Sequence, residues 1–463
     1  MKKILSKIIF IALSLPLLAS AQSLNFGNTF TISSGADGYG RPRIALTNDQ
    51  PIIIWRKDST PKTIRASKWD GTSFSMPYDI TAAGVLPSSW DGPEIAAKGD
   101  TVYLVFASTA TTQESIMLIR SFDGGNTFSD TIRVSENNPA HKYRMGNIKI
   151  DKDGHPIVSY MQYLLNFTEP KQMVNRSINH GDSFIGSIEG SESAPGEPCD
   201  CCKSSLILDN NDIYLLFRNN INNERNSYIS KSTDGGQTFN LVADLDDYDW
   251  NVNGCPATGP LGVVNGDSLL IVRRSGASGN DEIVYSNSNK LDLNYSYNRN
   301  IDPIIGKIQD YPDLTLNGDT IFIAWQDNRN NIPDCFFSYS TNGTENLSLG
   351  NIFTDSLVFG AKLNPDLVFK NKNIHLVYND NGSNSIKYVR GSFDNISYIY
   401  EQQNEQELFY NFDLLGRKTK KPSFLFKKWI TKIKSPLKIE WAFKVVITYL
   451  NYGLNLFTTF PFE

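Results

Sequence analysis

Helical periodicity is missing from most of this chain. No long segment before the C-terminal tail repeats apolar residues every three to four positions, which argues against a helical bundle or an alternating α/β fold. Beyond the first twenty or so residues, no segment before the tail reaches about 18 apolar residues, so no stable membrane span is expected there. Histidine is scarce: His141, His155, His180 and His375 are the only four. They are scattered without the spacing of metal ligands, so no metal site is expected from them. Gly-x-Ser-x-Gly, P-loop and dinucleotide fingerprints are absent, and no cofactor is expected.

Cysteine is also sparse, with five in all, yet Cys199, Cys201 and Cys202 are clustered and Cys255 and Cys335 lie further on. In an exported chain the default is a disulfide between the cluster and Cys255, taken here as Cys202–Cys255, with an odd thiol left over. Four thiolates would also suffice for a metal by count, but adjacent Cys201-Cys202 is not usual zinc-finger spacing.

Export itself is suggested by the start of the chain. Met1-Lys2-Lys3, an apolar run from Ile8 to Leu18 and then Ala19-Ser20-Ala21 have the order of a secretory leader, so residues 1–21 are expected to be removed. A secreted or cell-surface location follows.

Charge is unevenly spread. Residues 1–21 carry three lysines and no acid, and residues 417–463 carry ten Lys/Arg against two Glu, so the net −5 of the whole chain leaves −16 on residues 22–416. Such a body repels polyanions on average, which argues against nucleic acid as a partner.

What the sequence does contain is a repeat. RPRIAL at 41, GPEIAA at 92, MGNIKI at 145, KSSLIL at 203, TGPLGVV at 258, YPDLTL at 311 and NPDLVF at 364 begin seven units. Each is followed by a more apolar strand: PIIIWR (51–56), TVYLVF (101–106), PIVSYM (156–161), DIYLLFR (212–218), SLLIVR (268–273), TIFIAW (320–325) and NIHLVY (373–378). A period of roughly 50 residues with about four strands per unit predicts an all-β propeller of four-stranded blades. Seven blades are favoured by count and six, with an appendage, is the alternative. Residues 24–32 are expected to supply the strand that closes the ring beside the last unit, which removes free sheet edges.

Two units end in a distinctive turn. Ser121-Phe122-Asp123-Gly124-Gly125-Asn126-Thr127-Phe128 and Ser232-Thr233-Asp234-Gly235-Gly236-Gln237-Thr238-Phe239 both fit Ser-x-Asp-x-Gly-x-Thr-Phe. In such a turn the Asp accepts backbone amides, Gly supplies positive φ and the aromatic fills the gap between strands. With these turns, residues 22–398 resemble the Asp-box (BNR-repeat) proteins of the sialidase superfamily.

That resemblance implies an exo-sialidase-type glycoside hydrolase acting on carboxylated glycans, which grips the sugar carboxylate with arginines and uses a Tyr nucleophile, a supporting Glu and an Asp acid. Carried onto this chain, it names Arg43, Arg218, Arg273 (or Arg274) and Arg329 for substrate binding. Tyr311 becomes the nucleophile, Glu94 (or Glu224) its support and Asp58 (or Asp91) the acid. The stretch Arg41-Pro42-Arg43-Ile44 departs in order from the family's Arg-Ile-Pro. The alternative function is a non-catalytic propeller that binds glycan or protein, with those arginines as ordinary paired or solvated charges.

After residue 398 the pattern changes. The stretch Glu407 to Lys418, with Tyr410-Asn411-Phe412-Asp413-Leu414-Leu415-Gly416-Arg417-Lys418 at its end, resembles the hairpin core of type IX secretion sorting domains, which implies that secretion machinery as a partner. The Lys- and aromatic-rich stretch that follows, 420–462, departs from that family.

Overall fold

The computed structural model describes residues 23–394, apart from short gaps at 58, 60–61, 81–83, 87–90, 110–112, 342–346 and 355–359, together with four strands between 409 and 461. The proposed leader at 1–21 and the candidate acid Asp58 therefore lie outside the described residues.

Seven antiparallel sheets arise in chain order from the seven repeats. Blade 1 runs Gly40–Thr47, Gln50–Lys57, Thr63–Lys68, Tyr78–Ile80, and blade 2 Glu94–Lys98, Thr101–Ser108, Ser115–Ser121, Ile132–Arg133. Blade 3 is His141–Ile150, Pro156–Leu164, Lys171–Arg176, Ile188–Glu189, and blade 4 Ser205–Asp209, Asp212–Asn220, Ser227–Ser232, Leu241–Asp244. Blade 5 is Leu261–Asn265, Ser268–Ser275, Glu282–Asn289, Tyr295–Asn300, and blade 6 Gln309–Asn317, Thr320–Asp327, Asp334–Ser340, Asn351–Ile352. Blade 7 takes Lys362–Lys370, Asn373–Asp380 and Ser385–Asp394 from one end of the chain and Ser23–Phe26 from the other. Among the described residues the single helical turn is Gly35–Asp37.

The propeller is seven-bladed because the N-terminal strand completes the last blade. Ser23 to Phe26 pair with Asp394 to Gly391, and Phe30 and Thr31 pair with Tyr388 and Lys387. The seventh unit lacks a closing turn because its outer strand is supplied from elsewhere in the chain.

Seven apolar clusters fill the spaces between neighbouring blades. The one between blades 1 and 2, for example, sets Ile54, Ile64 and Ala66 against Val102, Leu104, Phe106 and Ile119. The one between blades 7 and 1 sets Val377, Ile386 and Tyr388 against Ile44, Ile53 and Trp55, which closes the ring. Each second strand is covered on both faces, so it reads as a continuous apolar run rather than an alternating one.

The two Ser-x-Asp-x-Gly-x-Thr-Phe turns fold as their chemistry dictates. Asp123 accepts the amides of Asn126 and Thr127, both at 2.9 Å, and the Thr127 hydroxyl at 2.6 Å. Asp234 repeats this with Gln237 and Thr238 at 2.9 and 3.0 Å. These turns lie at the outer ends of blades 2 and 4, between third and fourth strands.

Residues 396–463 form a separate compact unit, in which Phe409–Phe412, Phe424–Lys434, Ile439–Thr448 and Asn455–Pro461 pair in sequence order as an antiparallel sheet. No helix among the described residues is long and apolar enough to cross a membrane.

Candidate functional site at the channel mouth

The inner strands of all seven blades line a cavity of about 990 Å³. That is the upper end of the size range of small-molecule sites. A β-bulge is repeated in four blades, and in three of them it carries a side chain, Arg41, Tyr311 or Asn364, into the channel lining. Register shifts between Gly40 and Arg43, Arg144 and Asn147, Asp310 and Asp313, and Leu363 and Asp366 leave two residues unpaired at the start of each inner strand.

The first residue of each bulged pair is left-handed: Arg41 has φ 47°, Met145 60°, Tyr311 47° and Asn364 53°. Such conformations cost non-glycine residues of order 1 kcal/mol or more, and they concentrate where a fold must re-aim a side chain. In three of the four the next residue is Pro42, Pro312 or Pro365, and proline suits a position that donates no ladder hydrogen bond.

The bulge brings Arg41 and Tyr311 together, with the guanidinium 4.7 Å from the ring centroid. Arg41 is buried and Tyr311 half-buried, and both line the cavity. Beside Tyr311, the Asp310 carboxylate accepts the Tyr311 amide and an Arg274 Nη1–H, both at 2.8 Å. Burial pushes Asp310 up, only partly offset by Arg274, to about 6.

Glu94 behaves oppositely. Burial would raise its carboxyl, but Arg43 and Lys203, each with a nitrogen 2.8 Å from the same Glu94 oxygen, bring it down to about 2. Lys203 is also 3.7 Å from Asp91, whose other oxygen accepts the Met145 amide at 3.0 Å.

Two further acids staple neighbouring inner strands. Asp366 of blade 7 accepts the Ile44 amide of blade 1, and Asp313 of blade 6 accepts the Leu367 amide of blade 7, both at 2.7 Å. Burial, then mutual repulsion with Asp313, holds the Asp366 carboxyl well above the usual range, with Arg43 3.8 Å away.

Of the residues expected from sequence, Arg43, Glu94 and Tyr311 do line the channel. Glu94 serves Arg43 and Lys203 through its hydrogen bonds, and Tyr311 packs on Arg41. Three expected arginines are not among the residues lining the channel. Arg218 is fully buried and donates to the carbonyls of Thr258, Arg225 and Arg274. Arg273 is fully buried on Asp246, Leu245 O and Asn298 between blades 4 and 5. Arg329 is held by Asp302 and Asp327. Arg218 and Arg273 lie near the ends of second strands and Arg329 two residues beyond one, where an ionised side chain must be paired once the neighbouring blade covers it.

Arg274 stays close to the site through Asp310 and packs over Trp250. Glu224 bridges to Ile221 and Asn251, outside the channel lining.

The disulfide also differs from the expected pairing. It joins Cys201, not Cys202, to Cys255, across a Cα separation of 6.3 Å that suits a disulfide. Cys202 is fully buried and turned toward Cys199, whose carbonyl accepts the Cys202 amide at 3.2 Å. Three thiols, Cys199, Cys202 and Cys335, remain.

Sequence reasoning overlooked Arg41, Lys203 and Asp310 as site residues. For Arg41 the usable signal was the dipeptide Arg41-Pro42, which parallels Tyr311-Pro312 at a position where the ladder breaks; Lys203 and Asp310 carry no such signal.

No family model matches this chain, and no curated protein is similar to it at a significant level. Among solved structures, a protein of unknown function from Dyadobacter fermentans DSM 18053 is 10% identical and superposes with a TM-score of 0.50, over 80% of this chain and 99% of that one. A mutant of Trypanosoma rangeli sialidase displaying trans-sialidase activity is 11% identical over 81% of this chain and 59% of that one, with a TM-score of 0.43. Penicillium chrysogenum α-L-arabinanase complexed with arabinobiose is 11% identical over 79% and 98%, with a TM-score of 0.43. At such identities the likeness is one of fold.

Proposed function

We propose that the channel mouth binds a carboxylated glycan and hydrolyses its terminal glycosidic bond, as an exo-sialidase-like member of the Asp-box superfamily. The observation that carries this reading is the convergence of Arg41 and Tyr311 on bulges of two different blades, beside Asp310. A guanidinium at the mouth offers a charge-assisted bond to a sugar carboxylate. Asp310, raised to about 6, can hold a proton for a leaving group, while Glu94, near 2, stays ionised. Carboxyl groups whose environments push them apart in this way suit acid–base chemistry.

One observation favours the second reading, a propeller that binds glycan without turnover. Arg43, Glu94 and Lys203 already satisfy one another, and three of the arginines expected to grip the substrate are spent inside the blades.

Export belongs to the same proposal. Its supports are the leader-like residues 1–21 and the sorting-type string at 407–418.

The test is release of product from a fluorogenic nonulosonic acid glycoside, measured against pH for the wild type, Asp310→Asn and Tyr311→Phe. The proton donor must be protonated, so turnover is expected to fall as pH rises through about 6. Loss of the donor is expected to slow turnover by about 10²-fold or more. Glycan binding by the wild type without turnover would replace the hydrolase reading with the binding one.

A further inference from the structure

We propose that Cys199, Cys201, Cys202 and Cys255 form a thiolate site for a soft metal cation in the wall of the channel, loaded when the Cys201–Cys255 bond is reduced. The sulfurs of Cys199, Cys201 and Cys202 all lie within 4.8 Å of one another, and Cys255 is bonded to Cys201. Cys199 Sγ is 2.9 Å from Cys202 Sγ and 3.6 Å from Cys201 Sγ. A disulfide accounts for two sulfurs meeting. It gives no reason for Cys199 and Cys202 to crowd against that bond at Cys201, whereas a cation with several thiolate ligands does.

The surroundings suit such a site. Cys199 and Cys202 are fully buried and have the two-residue separation common among zinc-binding cysteines. Arg218, fixed by three carbonyls, adds positive charge beside the thiolates, which offsets their negative charge.

The two cysteine segments are also pressed together independently of any sulfur. A Cβ placed on Gly259 would meet the Lys203 carbonyl oxygen at 1.8 Å, so only glycine permits this approach. Lys203 and Ala257 to Gly259 both line the channel, so a cation here would pin two walls of the mouth beside Glu94.

Loading requires a reductant, which is a dithiol. The dithiol gives two electrons and two protons to the Cys201–Cys255 bond and closes to a cyclic disulfide, leaving two protein thiols. A cation then displaces protons from the thiols it binds.

The test uses the full chain, reduced anaerobically with a dithiol, desalted and titrated with Cu(I) and, separately, Cd(II). Thiolate-to-metal charge-transfer absorption reports uptake, and circular dichroism reports the fold. The reduced wild type and Cys335→Ser are expected to bind a single cation per chain. The double variant Cys199→Ser/Cys202→Ser, which keeps Cys201 and Cys255, is expected to bind at least about 100-fold more weakly, because even changes outside the ligand shell weaken metal binding roughly 10–100-fold. Uptake by the double variant equal to the wild type would overturn the proposal, as would no uptake by reduced wild type. If the double variant unfolds, the wild type still decides: uptake on reduction that is lost on reoxidation supports the site.

Discussion

Two adjacent arginines, Arg273 and Arg274, have opposite fates in this molecule. Arg273 is fully enclosed and bonded to Asp246, itself 5% exposed, whereas Arg274 reaches Asp310 at the channel mouth. Consecutive strand residues face opposite sides of a sheet, so one is carried into the packing between blades and the other away from it. Replacing Arg273 with Met leaves the Asp246 charge uncompensated in the interior and should cost about 3–5 kcal/mol of stability. Urea unfolding measures this, and glycan binding per folded molecule should be unchanged. Unaltered stability with lost binding would instead return Arg273 to the site.

The same scale explains what sequence could and could not reveal about the mouth. Arg43, Glu94 and Tyr311 were legible because each occupies a repeated position in the unit. Whether an arginine points inward or is sealed between blades was not, because it depends on which face the neighbouring blade covers. The Cys202–Cys255 pairing failed for a similar reason. Three cysteines within four residues give nearly the same reach to Cys255, and only the turn from Cys199 to Cys202 selects Cys201.

At the scale of the element, each blade depends on its neighbour, and the last depends on the first strand of the chain. Phe26 lies on that strand with its ring 5.0 Å from Phe337 and 6.2 Å from Phe353, both buried on the blade 6 side of the cluster. Phe26→Ala should destabilise the propeller by roughly 2 kcal/mol, less than the ~3–5 kcal/mol of a fully buried phenylalanine, because Phe26 is only half-buried. Deleting residues 23–31 should be more severe, since it strips the Ser385–Asp394 strand of its outer partners and exposes an edge that can pair with other chains. Sedimentation of the truncated chain should reveal self-association; a monomer as stable as the parent would show that the closure is dispensable.

The blades were readable in advance because their signals are local: turn residues, β-branched runs and the Asp-box hydrogen bonds around Asp123 and Asp234. The closure was partly readable, from the resemblance of residues 24–32 to the end of a unit. The bulges were not, because a bulge shows only when two strands are placed side by side.

The whole molecule turns a local irregularity into a site. A bulge in four of the seven inner strands sets Arg41, Tyr311 and Asn364 along the lining of the 990 Å³ channel and packs Met145 against Met161 and Tyr163. No single blade holds the pieces: Arg41 comes from blade 1, Lys203 from the approach to blade 4, and Asp310 with Tyr311 from blade 6. Ring closure is what brings them within reach of one ligand.

The most direct measurement is therefore a crystal structure of the protein soaked with a carboxylated oligosaccharide. The sugar carboxylate should be seen against the Arg41 guanidinium, with the adjoining ring beside Tyr311 and its glycosidic oxygen turned toward Asp310. Sugar bound only at the outer rim or between blades, with the Arg41–Tyr311 mouth empty, would contradict the account.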